Sequence, residues 1–338
     1  VVAGVVLLTL AAGPAAEARA RNHEAWRAFL ARDFARAEAA ARQAWSAAES
    51  DGDPAQAGAG AANLAAALAA RGRFADALQW SDRAEERLAA AGAQRARGRV
   101  AAARAVMHYA GGEPERAERE FARAAERLGT DDWPLAFLRV TVRTYADLKL
   151  DAAADALEAL RRTAEAARDP IRTAMCLMAM GWVETFGGGR AMDRFEKARA
   201  VLHDGRDLEL QAYAAQGLGA ARMRAEDLAG AEAAWLQGLD LARQHRDRGL
   251  QIALLNDLSL LHVRQGRPDA ARASDLEAER LLDAIAADLR AGVVEDTVLL
   301  DFRQLSKYRY LNLPPVLYPH FRGIFDQLAL DPALARAE

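Results

Sequence analysis

Arg71–Ala84 reads RGRFADALQWSDRA, Gly111–Ala124 reads GGEPERAEREFARA and Gln265–Ala278 reads QGRPDAARASDLEA. The three nearly superimpose. In each, a glycine (Gly72, Gly112, Gly266) stands five residues before a small alanine (Ala77, Ala117, Ala271), and a second alanine (Ala84, Ala124, Ala278) follows seven later. Weaker copies are centred on Ala37, Ala156, Ala191 and Ala231, so the anchors advance by 40, 40, 39, 35, 40 and 40 residues. Self-similarity at a period of about 20–50 residues is the signature of a solenoid. It predicts an all-α fold, a right-handed α-solenoid of about seven helix-turn-helix repeats.

Each unit reads as two helices and a short turn. Leu64 and Leu68 share one face, Arg71-Gly72-Arg73 breaks the run, and Phe74, Ala77, Leu78 and Ala84 resume at helical spacing. A glycine at the break suits a left-handed residue that closes the first helix. The alanine that opens the second helix lets two antiparallel helices approach closely. Phe121, Phe195 and Trp235, each four residues after its anchor, fill the space beside it. One helix pair cannot bury both its faces, so neighbours must stack into a continuous core.

Composition agrees. The 338 residues are dominated by Ala, Leu, Arg and Glu, the strongest helix formers. Net charge is −3 with both signs interspersed. Without a concentrated basic stripe, nucleic acid is not an expected partner, and attraction to acidic membranes is equally unsupported.

The two ends differ from the middle. Val1–Leu10 is an uncharged apolar run, followed by Gly13-Pro14 and Ala16-Glu17-Ala18. Such a run ahead of an A-x-A site reads as a secretory signal peptide over residues 1–18, and it is shorter than the roughly 20 residues a membrane-spanning helix needs. The mature chain, with no membrane segment, is therefore expected in the periplasm or outside the cell; the alternative is a cytoplasmic protein. The repeat array occupies 19–288. From 289 to 338 no anchor recurs: Val294, Val298, Phe302 and Leu305 form one stripe, Tyr308–Pro319 interrupts it, and Val316–Leu328 resumes it. A solenoid end needs an atypical element with one polar face, which makes 289–338 a C-terminal helical cap or a connector.

Chemistry finds no foothold. The six histidines are scattered, none forms H-E-x-x-H, and none has a cysteine at metal-ligand spacing. No G-x-S-x-G elbow is present. Gly187–Arg190 (GGGR) lacks the Lys-Ser/Thr of a P-loop and follows a helix. Asp131-Asp132 and Glu85-Glu86 read as caps or solvated faces, and Cys176, in an apolar run, as a buried structural thiol. No catalytic residue, metal or cofactor is expected.

Asn63–Leu78 (NLAAALAARGRFADAL), Asn256–Ala271 (NDLSLLHVRQGRPDAA) and Gly217–Trp235 (GLGAARMRAEDLAGAEAAW) resemble the tetratricopeptide repeat family. The resemblance covers about residues 19–288. Standard repeats have about 34 residues, and forty corresponds to about three more per helix, or ~4–5 Å. That is similar to the longer-repeat subgroup of kinesin light chains and bacterial peptide-sensing regulators. Arg143-Thr144 and Arg104 depart from the family's Leu-Gly pair.

The resemblance implies a non-enzymatic scaffold that binds a protein or peptide segment along its first helices. In the longer-repeat subgroup, Asn residues there hold a peptide backbone; an amide both donates and accepts. The matching positions carry Asn63, Asn256 and Asp257, with Ala103, Val142 and Gly217 between. Further along the same helices stand Tyr109, Trp182, Met223, Arg224 and Arg264. This mixed apolar and cationic lining suits a segment with hydrophobic and acidic side chains. The alternative reading is a sensory array of a larger protein, for example ahead of a caspase-like protease domain, or a cytoplasmic peptide-sensing regulator.

Overall fold

The computed structural model describes residues 14–30, 33–70, 73–110, 113–147, 150–187, 190–202 and 207–290. The apolar run Val1–Leu10, Gly72, Gly112 and nearly all of the expected cap lie outside the described residues. Among the described residues there are fourteen helices and no strand, seven pairs as expected for the α-solenoid. They fall into two compact units divided after Gly129.

The first unit holds α1 (Pro14–Leu30), α2 (Phe34–Asp51), α3 (Pro54–Ala70), α4 (Phe74–Ala90), α5 (Gln94–Ala110) and α6 (Pro114–Leu128). The second holds α7 (Trp133–Asp147), α8 (Leu150–Ala166), α9 (Pro170–Gly187), α10 (Ala191–Val201), α11 (Leu208–Arg224), α12 (Leu228–His245), α13 (Arg248–Arg264) and α14 (Pro268–Arg290). From α1 to α6, and again from α11 to α14, each helix starts 20 residues after the one before. The 40-residue period is thus two equal half-periods, each a helix of 17 or so residues and a tight turn.

Nine of the turns share one closure. Asp33, Arg73, Glu113, Asp227 and Arg267 donate their backbone N–H to the carbonyl five residues back, and so do Asp53, Ala93, Asp169 and Asp247 between pairs. This is the Schellman pattern, which satisfies carbonyls that the helix end would strand. It demands a left-handed residue just before the closing one. Gly266 supplies it as expected at φ 68°, but Glu226 and Arg246 adopt φ 61° at the same point without being glycine. Asp33, Asp53, Asp132, Asp169, Asp207, Asp227 and Asp247 cap the next helix, each accepting from the N–H three residues on.

The two helices of a pair have different surroundings. In α3 every residue from Gln56 to Ala69 is buried, whereas in α4 only Ala77, Ser81, Ala84 and Leu88 are. First helices also touch one another: α1 with α3 and α3 with α5 in the first unit, α9 with α11 and α11 with α13 in the second. They form an inner layer, and the second helices form an amphipathic outer one.

One anchor needs correction. Ala156 is only half-buried, while Ala153, Leu157 and Ala164 of α8 are buried. Their spacing of four and eleven repeats that of Ala77, Ser81 and Leu88. The fourth anchor is Ala153, because the small residue must be the one that faces the partner helix. With it, the residue twelve before each anchor is Ala25, Ala65, Ala105, Thr141, Ala179, Gly219 or Ser259, each small and buried. The apparent misfit at Arg143-Thr144 disappears. Thr141 is tolerated inside because its hydroxyl donates to the carbonyls of Phe137 and Leu138, at 2.8 and 3.0 Å.

The aromatic wedges are where the sequence puts them. Phe195 fits a slot between α9 and α11: a Cβ added to Gly217 would lie 2.2 Å from its ring, and one on Gly181 2.9 Å. Trp235 donates its indole N–H to the Gln216 carbonyl at 3.0 Å, and a Cβ on Gly219 would meet that nitrogen at 2.3 Å.

Candidate peptide-binding surface

The residues expected to line a binding face are divided between the units. Asn63 (α3) and Tyr109 (α5) belong to the first; Trp182 (α9), Met223 and Arg224 (α11), and Asn256, Asp257 and Arg264 (α13) belong to the second.

Asn63, Trp182 and Met223 are buried. Trp182 packs edge-on against Phe195, with ring centroids 5.4 Å apart, so it helps hold the α9–α10 pair together. Tyr109 is half-buried; its ring tilts against Phe121, and its hydroxyl donates to Glu118 at 2.9 Å. The central turns of first helices have neighbours on almost every side, which leaves little of these side chains open.

The end of the second unit is different. Arg224 and Arg264 occupy the same repeat position, seven before their anchors, and both are exposed. The Arg264 guanidinium donates to both carboxylate oxygens of Glu226, at 2.8 and 2.9 Å, which ties the end of α13 to the turn after α11. Asp257 is half-buried and accepts from Gln216 Nε2 at 3.2 Å. Asn256 lies beside it, also half-buried. Leu260 and Val263 follow on α13 and are 57% and 61% exposed. The result is a strip of apolar, amide and cationic groups.

Two amides escaped the sequence reading. Asn22 and Gln216 stand fifteen residues before Ala37 and Ala231, as Asn256 stands before Ala271. Asn22 donates to both the carbonyl and the side chain of Gln56, each at 3.0 Å. The fixed offset from the anchor was the available signal.

Nearby titratable groups serve the turns. Burial pushes the Glu232 carboxyl up, but hydrogen bonds from Arg267, Gln265 and His262 outweigh it and hold it below the usual carboxylate range. Burial pushes the Cys176 thiol up to about 12, which suppresses the nucleophilic thiolate. Among the described residues no group of three His, Cys, Asp or Glu could hold a metal ion, and no helix is long and apolar enough to cross a membrane.

Two solved structures are similar to this chain over most of its length. One, described as the apo form of RapI, has a TM-score of 0.56 at 12% identity, covering 92% of this chain and 86% of its own. The other, described as a Rap protein complexed with competence and sporulation factor, has a TM-score of 0.57 at 12% identity, covering 92% of this chain and 91% of its own. At such identity the likeness is one of fold. No protein-family model and no curated protein matches the sequence. The chain is an all-helical repeat protein of the kind that the tetratricopeptide resemblance implies.

Proposed function

We propose that this protein is a non-enzymatic scaffold of the longer-repeat tetratricopeptide type that binds a protein or peptide segment on its layer of first helices. The observation that carries the reading is the recurrence of an exposed arginine, Arg224 and Arg264, at one repeat position of adjacent first helices. Asp257 stands beside them as a hydrogen-bonding group. Guanidinium groups spaced by a repeat suit a ligand with acidic side chains. A fold neighbour described as complexed with competence and sporulation factor supports the same use of the architecture here. Asn63 and Tyr109 in the first unit, and Trp182 and Met223 in the second, contribute to packing within their own units.

The test is an array of peptides with apolar and acidic side chains, probed with the purified chain. Arg224→Ala/Arg264→Ala should weaken binding by tenfold or more and Asp257→Ala by less, with the helical fold retained by circular dichroism. If peptides are retained equally by the wild type and all variants, the lining is wrong. Export is proposed from the N-terminal run. Ala18 is buried in α1 against Ala48 and Ala57, so cleavage after it would remove a core contact of the first unit. Sequencing the mature N terminus, with Arg19 or Val1 as outcomes, decides the matter.

A further inference from the structure

Leu260 and Val263 are the most exposed large apolar side chains of the described residues, and their repeat positions say what should cover them. Eleven and eight residues before the preceding anchor, α11 carries Ala220 and Met223; there Ala220 is half-buried and Met223 is buried. In α3 and α9 the same positions, Ala66 and Ala69 or Met180 and Val183, are buried as well. Each of those helices is followed by another first helix packed against it. Among the described residues α13 has no such successor. The exposed stripe on α13 is therefore a stacking face. Two large apolar side chains this exposed, one turn apart, point to a surface that is covered.

We propose that residues 294–305 of this chain cover it, stacking on α13 as a terminal first helix. The buried residues of α13 include Leu250, Leu254, Leu258 and Leu261, with steps of four, four and three. Val294, Val298, Phe302 and Leu305 repeat those steps 44 residues on. The shift is 44 and not 40 because α14 runs for 23 residues where the other helices have 18 at most. The same register places Asp301 where α13 has Asp257. Asn256 then meets Asp301 as Gln216 meets Asp257, an amide N–H donating to a carboxylate. Arg303 falls where the repeats have a small residue, a departure from the pattern. The inference rests on stacking and not on the binding proposal. It assigns Asn256 to the stack and leaves Asp257, Arg224 and Arg264 to a ligand, since Arg224 stays exposed although α13 packs on α11.

The test uses paired cysteines in the full chain. Asn256→Cys/Asp301→Cys should be joined within one chain by a short bis-maleimide in yield comparable to Gln216→Cys/Asp257→Cys, whose partners are in contact. The wild type, with only the buried Cys176, should not react. Cross-linking between chains would show that a second copy occupies the face and overturn the proposal, as would no cross-link while the Gln216/Asp257 pair reacts. Hydrogen exchange gives an independent reading. Amides of 294–305 should be protected in the wild type and lose that protection in Leu260→Asp, with α11 unaffected. Unprotected wild-type amides would also overturn it.

Discussion

In the first half of α3 the helix backbone itself is the contact surface, whereas the middle of α11 receives aromatic rings. A Cβ on Gly60 would lie 2.9 Å from the backbone nitrogen of Trp45, and one on Gly58 2.6 Å from the Leu88 side chain. Most of the first unit's core is alanine. The second unit's core instead includes Phe137, Phe195, Trp182, Trp235 and several Met and Leu side chains. Both units keep the same small anchor, and both have the same turns. What differs is the size of the partner that the small residue admits, and this sets which substitutions do harm. In the first unit enlargement is the costly change; in the second, truncation of the ring is costly as well as enlargement of the glycine that faces it.

The sharpest test of that contrast is Phe195→Ala. It empties a slot that Gly181, Gly217 and Trp182 shape around the ring, and such truncations cost about 3–5 kcal/mol. Denaturant unfolding should show a loss of that order; a loss below about 1 kcal/mol would mean that the slot collapses freely. The first unit should respond to Gly60→Ala. Alanine gains about 1 kcal/mol of helix propensity over glycine, but forcing α2 and α3 apart costs about 1–3 kcal/mol. The overpacking term wins, and a net loss is expected at a position where most helices would gain.

Arg246→Gly should act in the opposite direction. A left-handed conformation costs a residue with a Cβ about 1–2 kcal/mol, and glycine's freedom in the unfolded chain returns about half of that. A rise in stability of ~0.5–1 kcal/mol is expected, and a fall would show that the Arg246 side chain has a role of its own. The smallest effect concerns acid. Hydrogen bonding from Arg161 outweighs burial and holds the Glu158 carboxyl below its ordinary range. A depressed carboxylate stabilises the fold above its unfolded pKa, and that contribution is lost as pH falls through the folded one. For a partly exposed pair the amount is about 0–1 kcal/mol. Glu158→Gln should flatten the stability profile below about pH 4.5 and leave the acid profile of the first unit's probes unchanged.

The fold was legible because the anchors sit where two backbones must approach, and close approach leaves a composition signal in the chain. Ala37, Ala77, Ala117, Ala191, Ala231 and Ala271 were read directly. Ala156 was read for Ala153 because α8 is rich in alanine and only burial separates the two. The half-period of 20 was less visible: first helices such as α3 are apolar all round and carry no helical stripe to count. The site was less legible for a related reason. An asparagine at a repeat position looks the same whether it is open, as Asn256 partly is, or buried, as Asn63 is. Gln216 and Asn22 differ in kind from Asn63 only in their offset from the anchor.

The alternation of wholly buried and half-buried helices on a 20-residue beat has a consequence for how such a chain can change length. Removing residues 74–113 would join α3 to α6 through Arg73, and Gly58 would then face Leu128, as Gly98 does now at 2.6 Å from a Cβ built on it. The shortened protein keeps every layer intact. Removing only 74–93 would take away α4, which packs on α3, and α3, buried from Gln56 to Ala69, would have to show alanine and leucine to water. Whole helices can therefore be gained or lost only in pairs.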